Sequence, residues 1–336
     1  MHVLTATRPW PHADAAENDS VVVHRLTARI PFDLPIHPRA RAVIKRRLAD
    51  LSPDVVHIHM GAVSQFAWAG INASHDNSLP SVTTVHSMWA PWTKLIYRIL
   101  KLVNQWQRKT HLSAVSTAAA GPVQRTSGKS VHITPNGVDV SMWADGLEAR
   151  DVHRPITLVS ATRFAPRKRV MPLLELIKKV HAQCGADAVH LVIAGNGPQF
   201  NAAQEFVNRH QLQNVVQFAG RIDRIQLKQL FERSDAFIQL SELESFGIAA
   251  IEARAVGIPV FGRSGNGFSE FVEHGATGFL EASDAAVAAR VIEVVQNPDL
   301  LRRLKQQAAS TPPVQDWHFA MSAVSACYAH SQSDLR

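Results

Sequence analysis

The chain has 336 residues, 46% of them hydrophobic and 19% charged, with a formal net charge of +7; this is the balance of a globular protein of about two domains, and it excludes a disordered chain. Its two cysteines, Cys184 and Cys327, lie too far apart in the sequence to suggest a disulfide-stapled scaffold, so a reducing compartment fits. The start MHVLTATRPW lacks the charged head and apolar run of a secretion signal, and no stretch is apolar for long enough to span a bilayer, which makes the cytoplasm the expected location.

In chain order, MHVLTA (Met1–Ala6) and VVVHRL (Val21–Leu26) read as strands, joined by a polar loop carrying Pro9, Pro11, Asp14, Asn18 and Asp19. Pro38 opens a helix to about Leu51, Asp54–Ile58 is a buried strand, and Ala62–Asn72 is a helix. Ser81–His86 and Leu112–Val115 are strands on either side of a helix between Pro91 and Lys109. A polar linker, roughly Ser141–His153, precedes a second alternating series. Its strands are Ile156–Ser160, Val189–Ala194, Val215–Phe218, Ala236–Gln239, Pro259–Gly262 and Gly278–Leu280. Its helices are Arg167–Cys184, Pro198–Gln211, Arg224–Arg233, Ile248–Val256, Asp284–Gln296 and Pro298–Ala308, with a last segment at Gln315–Ala329. Strands alternating with helices predict parallel sheets flanked on both faces.

The most informative stretch is SELESFGIAAIEARAVGIPV (Ser241–Val260). Glu244 and Glu252 stand eight positions apart, with Glu244 in a loop and Glu252 about two turns inside the helix that follows, a rise of roughly 12 Å. A carboxylate accepts two hydroxyls at once and suits a sugar diol; the first helix amides, near Ser245, Phe246, Gly247 and Ile248, favour an anion. The expected ligand is a polyol carrying phosphate. Arg163 and Lys168 flank a strand-to-helix turn of the kind that suits a diphosphate, with Arg167 and Arg169 crowding it; an ordinary basic loop is the alternative. Gly195-Asn196-Gly197 opens a helix after a strand, too short for a dinucleotide fingerprint and equally readable as a tight turn. Glu270 ends a glycine-bearing turn at the same sheet edge, as a ligand or as a cap. His86 ends a strand where its side chain would enter a cleft. His57 and His59 alternate along one strand without a third ligand at usable spacing, so no metal site is read there. Asp139, in Asn136-Gly137-Val138-Asp139, reads as part of a hinge turn.

The Glu244–Glu252 spacing resembles the E-x7-E signature of retaining GT-B glycosyltransferases of glycosyltransferase family 4, and the turns at 163–168, 195–197 and 265–270 resemble that family's loops. Ser269 stands where the family usually has Pro. The resemblance implies an α/β fold of two Rossmann-like doubly wound parallel-sheet domains facing across a cleft: residues 1–150 for the acceptor, 151–312 for the donor, and 313–336 as a helix crossing back. It implies a nucleotide diphospho-sugar as donor substrate, with Glu252 on the ribose, Glu244 by the donor sugar and Arg163 and Lys168 on the diphosphate. The 195–197 loop, Ser245–Ile248 and Glu270 would line the donor, and His86 would contact donor sugar or acceptor. No metal or other cofactor is implied. Aligned this way, the opening strand resembles the family's second, so the N-terminal domain is expected to lack the family's first strand, Gly-rich loop and first helix. A non-catalytic nucleotide- or sugar-binding protein is the alternative function.

The positive excess sits in residues 1–150, which hold 16 Lys+Arg against 10 Asp+Glu, while the remainder holds 19 against 18. Along Trp92–Lys109, apolar residues at Trp92, Leu95, Ile96, Ile99, Leu100, Val103 and Trp106 oppose Lys94, Arg98, Lys101, Gln105 and Arg108, and Arg39, Arg41, Lys45, Arg46 and Arg47 form a second basic cluster. A basic amphipathic helix suits peripheral contact with an anionic membrane and a lipid-linked or glycan acceptor, as in cell-envelope glycan synthesis; the alternative is a helix packed on the sheet with its basic face in solvent. No nucleic-acid motif accompanies the charge.

Overall fold

The computed structural model describes residues 1–7, 20–28, 37–144, 152, 154–185 and 187–333. The expected loop with Pro9, Pro11, Asp14, Asn18 and Asp19 lies outside them, as does most of the expected linker. The chain forms two compact units, residues 1–134 with 322–336, and residues 135–321.

The first unit carries β1 (His2–Thr5) paired in parallel with β2 (Val22–Arg25), and a separate parallel sheet of β3 (Val56–Met60), β4 (Ser81–Val85), β5 (His111–Ala114) and β6 (His132–Ile133) in that order. Among the described residues no strand joins β1 to β3, so the unit's two sheets are separate pieces. Helices α1 (Ala40–Leu51), α2 (Gln65–Asp76), α3 (Pro91–Asn104) and α4 (Thr117–Ser127) complete it. Leu4 and Leu26 pack with Ile44, Leu48, Val56 and Ala73, so α1 and α2 bind both pieces into one core. Helix α4 is absent from the sequence reading, and it contains Gly121-Pro122, a pair that ordinarily breaks helices. It forms because Ser116 caps it, accepting from the Ala119 amide, and because Ala119, Ala120, Pro122 and Val123 are buried.

The second unit is a six-stranded parallel sheet of β7 (Ile156–Ala161), β8 (Val189–Ala194), β9 (Val216–Gly220), β10 (Ala236–Gln239), β11 (Val260–Arg263) and β12 (Gly278–Glu281). The spatial order is β12-β11-β10-β7-β8-β9. The chain winds outward from β7 to β9, returns to β10 beside β7, and winds the other way. Its helices are α5 (Val140–Ala144), α6 (Val170–Cys184), α7 (Phe200–Arg209), α8 (Arg224–Glu232), α9 (Ile248–Ala255), α10 (Asp284–Gln296) and α11 (Pro298–Ser310). Alternate strand residues feed opposite faces: Leu158 and Ile238 join the core with Leu174, Ile177 and Val291, and Val159 and Phe237 join the one with Phe231, Ala250 and Phe268. Each such side chain contributes about 1.5–3 kcal/mol, which is why these strands read as unbroken apolar runs. The last helix, α12 (Trp317–Ser333), begins in the second unit and ends in the first.

Three expectations are corrected here. The start of the expected linker is α5, whose Trp143 is fully buried against Phe231, and α5 belongs to the second unit. The helix expected from Arg167 begins at Val170, after a 3-10 turn at Pro166–Lys168 and a left-handed Arg169 (φ 57°). The helix expected through Lys109 stops at Asn104, where Gln105 turns left-handed (φ 52°).

Candidate active site

Because β7 and β10 are neighbours from which the chain departs in opposite directions, their carboxyl ends border the crevice where open α/β sheets bind ligands. Four sequence-predicted elements leave from this edge: the Arg163–Lys168 turn after β7, the Gly195–Gly197 turn after β8, the Glu244 loop after β10 and the Glu270 turn after β11.

Lys168 and Glu244 meet directly, with Nζ 2.5 Å from Oε2, and their side chains are 17% and 11% exposed. Gln239, buried at the end of β10, donates to the same Oε2 at 3.0 Å and to Ser241 Oγ at 2.8 Å. Asn266, fully buried, donates to the Ser241 carbonyl at 2.9 Å, while the Gly267 amide donates to the Glu244 carbonyl at 2.8 Å. These bonds staple the loops after β10 and β11 together and fix the Glu244 carboxylate. Gln239 and Asn266 are absent from the sequence reading. A polar side chain inside an apolar strand end or a glycine turn signals them only once the neighbouring loop is known.

Glycine is demanded here by contact. A Cβ on Gly247 (φ 95°) would sit 2.3 Å from the Phe268 ring, and one on Gly267 would sit 2.4 Å from the Ser245 carbonyl oxygen. Gly247 precedes α9 and offers no side-chain cap, leaving the first-turn amides at Ile248 available to an anion. Phe246 is buried against Phe271 and is a packing residue.

Glu252 lies five residues into α9, one turn and a little more, rather than the two turns expected, because the helix starts only at Ile248. It is buried, and burial pushes its carboxyl up to about 7. Arg224 of α8 opposes that shift from 3.6 Å, its guanidinium lying over the Trp143 ring at 5.4 Å. Arg224 is a further charged partner that the linear sequence does not reveal.

The other predicted residues separate. Arg163 is exposed and makes no ion pair among the described residues, whereas Arg169 turns away to Asp284 (2.5 Å) and Glu242 (3.3 Å). A Cβ on Gly195 (φ 136°) would meet the Thr162 carbonyl oxygen at 1.9 Å, and one on Gly197 the Phe164 carbonyl oxygen at 2.6 Å. The close approach that needs these glycines is therefore to the chain's own 162–164 loop, with the Asn196 carbonyl accepting from the Phe164 amide. Glu270 is partly buried, and its carbonyl accepts from Gln315 Nε2 at 2.8 Å. Asp139 caps α5, accepting from the Met142 amide at 2.9 Å and from Ser141, and these bonds hold its carboxyl below the ordinary range. An open depression of about 500 Å³ beside α7 and the edge strand β9 lies elsewhere, lined by Asn201, Glu205 and Phe218.

In the first unit, His86 follows β4 and shares a 2.8 Å hydrogen bond with His59, whose ring stacks on His57 at 4.4 Å. Burial, aided by His59, pushes His86 down to about 4, and burial pushes His57 down to about 3, so both are neutral at pH 7. His57 is held between Thr84 Oγ1 (2.6 Å) and Tyr328 OH (2.9 Å) of α12.

Comparison with known proteins identifies the family of the chain. A model described as Glycosyltransferase Family 4 matches residues 1–142, and one described as Glycosyl transferases group 1 matches residues 148–311. The chain belongs to glycosyltransferase family 4. It is 23% identical to alpha-monoglucosyldiacylglycerol synthase of Acholeplasma laidlawii across 96% of this chain and 87% of that protein. It is 31% identical to N-acetyl-alpha-D-glucosaminyl L-malate synthase of Bacillus anthracis over 45% of this chain and 39% of that one. Among solved structures, HepE of Anabaena in complex with UDP and glucose superposes with a TM-score of 0.72 at 19% identity, covering 92% of this chain and 86% of that one. Like its GT-B neighbours, this family 4 glycosyltransferase has parallel sheets in both units.

Proposed function

We propose that this glycosyltransferase moves a hexosyl group, with retention of configuration, from a nucleotide diphospho-sugar to a lipid-linked or glycan acceptor. The observation that carries the reading is the buried Lys168–Glu244 pair set below the uncapped start of α9 at the sheet's switch point. That arrangement supplies a cation and helix amides for a diphosphate, and a carboxylate for sugar hydroxyls. Relatives support it: one is named for diacylglycerol glycosylation, and HepE holds UDP and glucose.

In this reading Glu252, once ionised, accepts the ribose hydroxyls. Lys168 and Arg163 stabilise the departing diphosphate, which leaves an oxocarbenium-like sugar. The diphosphate takes the acceptor proton on the same face, so configuration is kept. Two cations at the diphosphate do the charge work of a divalent ion, and rates with and without added Mg²⁺ should agree. His86, neutral at pH 7, would touch donor sugar or acceptor as a hydrogen-bonding group rather than a charge.

The lipid side of the proposal rests on α3. The helix buries only the Thr93–Tyr97 line, with Tyr97 stacked on Trp89 at 3.9 Å. Trp106, expected on the apolar stripe, is instead buried against Tyr97 beyond the Gln105 break. Trp92, Leu95, Ile99, Leu102 and Val103 are left exposed, with exposed Arg98 and half-buried Lys94 and Lys101 on the same helix. That combination suits shallow insertion into an anionic membrane from the cytoplasmic side. Among the described residues no helix is long and apolar enough to cross a membrane. In the second basic cluster, Arg41 is already paired with Asp76 at 2.7 Å.

The test is a panel of UDP-, GDP- and ADP-sugars scored for released nucleoside diphosphate with lipid and soluble acceptors. Glu252→Ala and Lys168→Ala should each abolish donor-dependent transfer, and unchanged turnover in either variant would sink the assignment. Nucleotide binding without transfer to any acceptor would point instead to a binding protein.

A further inference from the structure

A cluster of metal-ligating side chains lies in the first unit, apart from every residue assigned above. His111 opens β5, His132 opens β6 and Cys327 lies on α12, and one donor atom from each comes within 4.8 Å of the other two. The sheet register explains the meeting. Ser113 pairs with His132, and His111 stands two residues before Ser113, so both rings leave the same face of adjacent strands, their centroids 4.6 Å apart. Helix α12 covers that face, bringing the buried Cys327 against the rings while the next residue, Tyr328, reaches His57.

His330, three residues beyond Cys327, lies on the same side of α12, with its ring 5.1 Å from His132 and 6.1 Å from His111. Its Nδ1 stands 2.8 Å from the Ala326 carbonyl oxygen, four residues back. A carbonyl can only accept, so Nδ1–H donates, and in the neutral ring the lone pair is on Nε2. Backbone carbonyls fix the tautomer of metal-bound histidines in the same way.

We propose that His111, His132 and Cys327 form a zinc site, with His330 as fourth donor, that fastens the end of α12 to the sheet of the first unit. Imidazole and thiolate are borderline and soft donors, wrong for Mg²⁺ or Ca²⁺ and right for Zn²⁺. Tetrahedral zinc, with bonds of about 2.0 Å to nitrogen and about 2.3 Å to sulfur, needs its donors roughly 3.3–3.8 Å apart. The three donors, within 4.8 Å of one another, stand about an ångström outside that spacing. On binding, the Cys327 S–H bond breaks, the proton passes to solvent and a Zn–S bond forms; no electron changes hands.

The inference is independent of the transfer activity, and so is its test. The full chain, kept reduced with a phosphine and stripped of metal, is titrated with Co²⁺ and then Zn²⁺. One Co²⁺ per chain should bind with a near-ultraviolet thiolate-to-cobalt charge-transfer band, and Zn²⁺ should displace it and raise the thermal midpoint. The band should vanish in Cys327→Ser and persist in Cys184→Ser, while His132→Ala and His330→Ala should each weaken binding at least tenfold. Absence of the band from the folded wild-type chain overturns the site whether or not any variant folds. A band that survives Cys327→Ser overturns it as well, and unchanged affinity in His330→Ala removes the fourth donor.

Discussion

Replacing Glu252 by glutamine should stabilise the protein above neutral pH, although the residue is proposed to be essential for donor binding. The side chain is 11% exposed, so solvent screens it little. Burial raises its carboxyl from an ordinary 4.5 to about 7. Below pH 4.5 both folded and unfolded chains hold the proton and the group contributes nothing to the pH dependence. Between 4.5 and 7 the unfolded chain releases it while the native state keeps it, so native stability falls as pH rises. Above about 7 the penalty is complete. At about 1.4 kcal/mol per pKa unit, the loss is on the order of 2–4 kcal/mol. Glutamine keeps the shape and cannot ionise. Urea unfolding of wild type and Glu252→Gln from pH 4.5 to 8.5 should show the variant gaining about that much, relative to their difference at pH 4.5. The gain should accrue between pH 4.5 and 7 and then level off. A difference between the two proteins that does not change with pH would refute the assignment of a destabilising buried carboxyl.

Three further outcomes are expected. Lys168→Ala leaves the Glu244 carboxylate with Gln239 alone and should cost about 3–5 kcal/mol in urea unfolding; adding Glu244→Gln should return most of it, giving a coupling above about 1 kcal/mol. Gly195→Ala must push a methyl group into the Thr162 carbonyl and should lower stability by roughly 3 kcal/mol or more, whereas Gly185→Ala, at φ 94° with nothing within 4 Å, should cost only about 1–2 kcal/mol. Leu102 and Val103 are 82% and 76% exposed, so changing both to Glu should leave the thermal midpoint unmoved while sharply reducing cosedimentation with anionic phosphatidylglycerol vesicles; undiminished cosedimentation would take α3 out of the membrane proposal.

Much of the second unit is legible in the sequence because its strands are buried on both faces. Ile156–Ser160, Val189–Ala194 and Ala236–Gln239 read as apolar runs between polar turns, and all three form within one residue of the expected bounds. The Glu244 loop and the Lys168 turn are legible as motifs, yet their direct pairing depends on β7 and β10 being adjacent, which local sequence does not encode. Asn266, Gln239 and Arg224 stay hidden for the same reason, since each acts across a gap between elements. In the first unit, periodicity shows that α3 is amphipathic without showing which side is covered, and the Thr93–Tyr97 line wins because Tyr97 finds Trp89 and Trp106. The His111–His132 proximity depends on strand register, and Cys327 joins it from nearly 200 residues away.

The Lys168–Glu244 pair also makes the site its own competitor. Glu244 is a tethered anion already seated on the cation, at an effective concentration that free carboxylate or chloride ions in solution do not match. A monoanion arriving there would trade one single charge for another and gain little. A diphosphate brings more charge than Glu244 does and can engage the Ile248 amides at the same time, so it would share Lys168 and have a second foothold. On this reading, the affinity of the donor would be set by a difference between two anions, with Glu244 holding Lys168 against small ions.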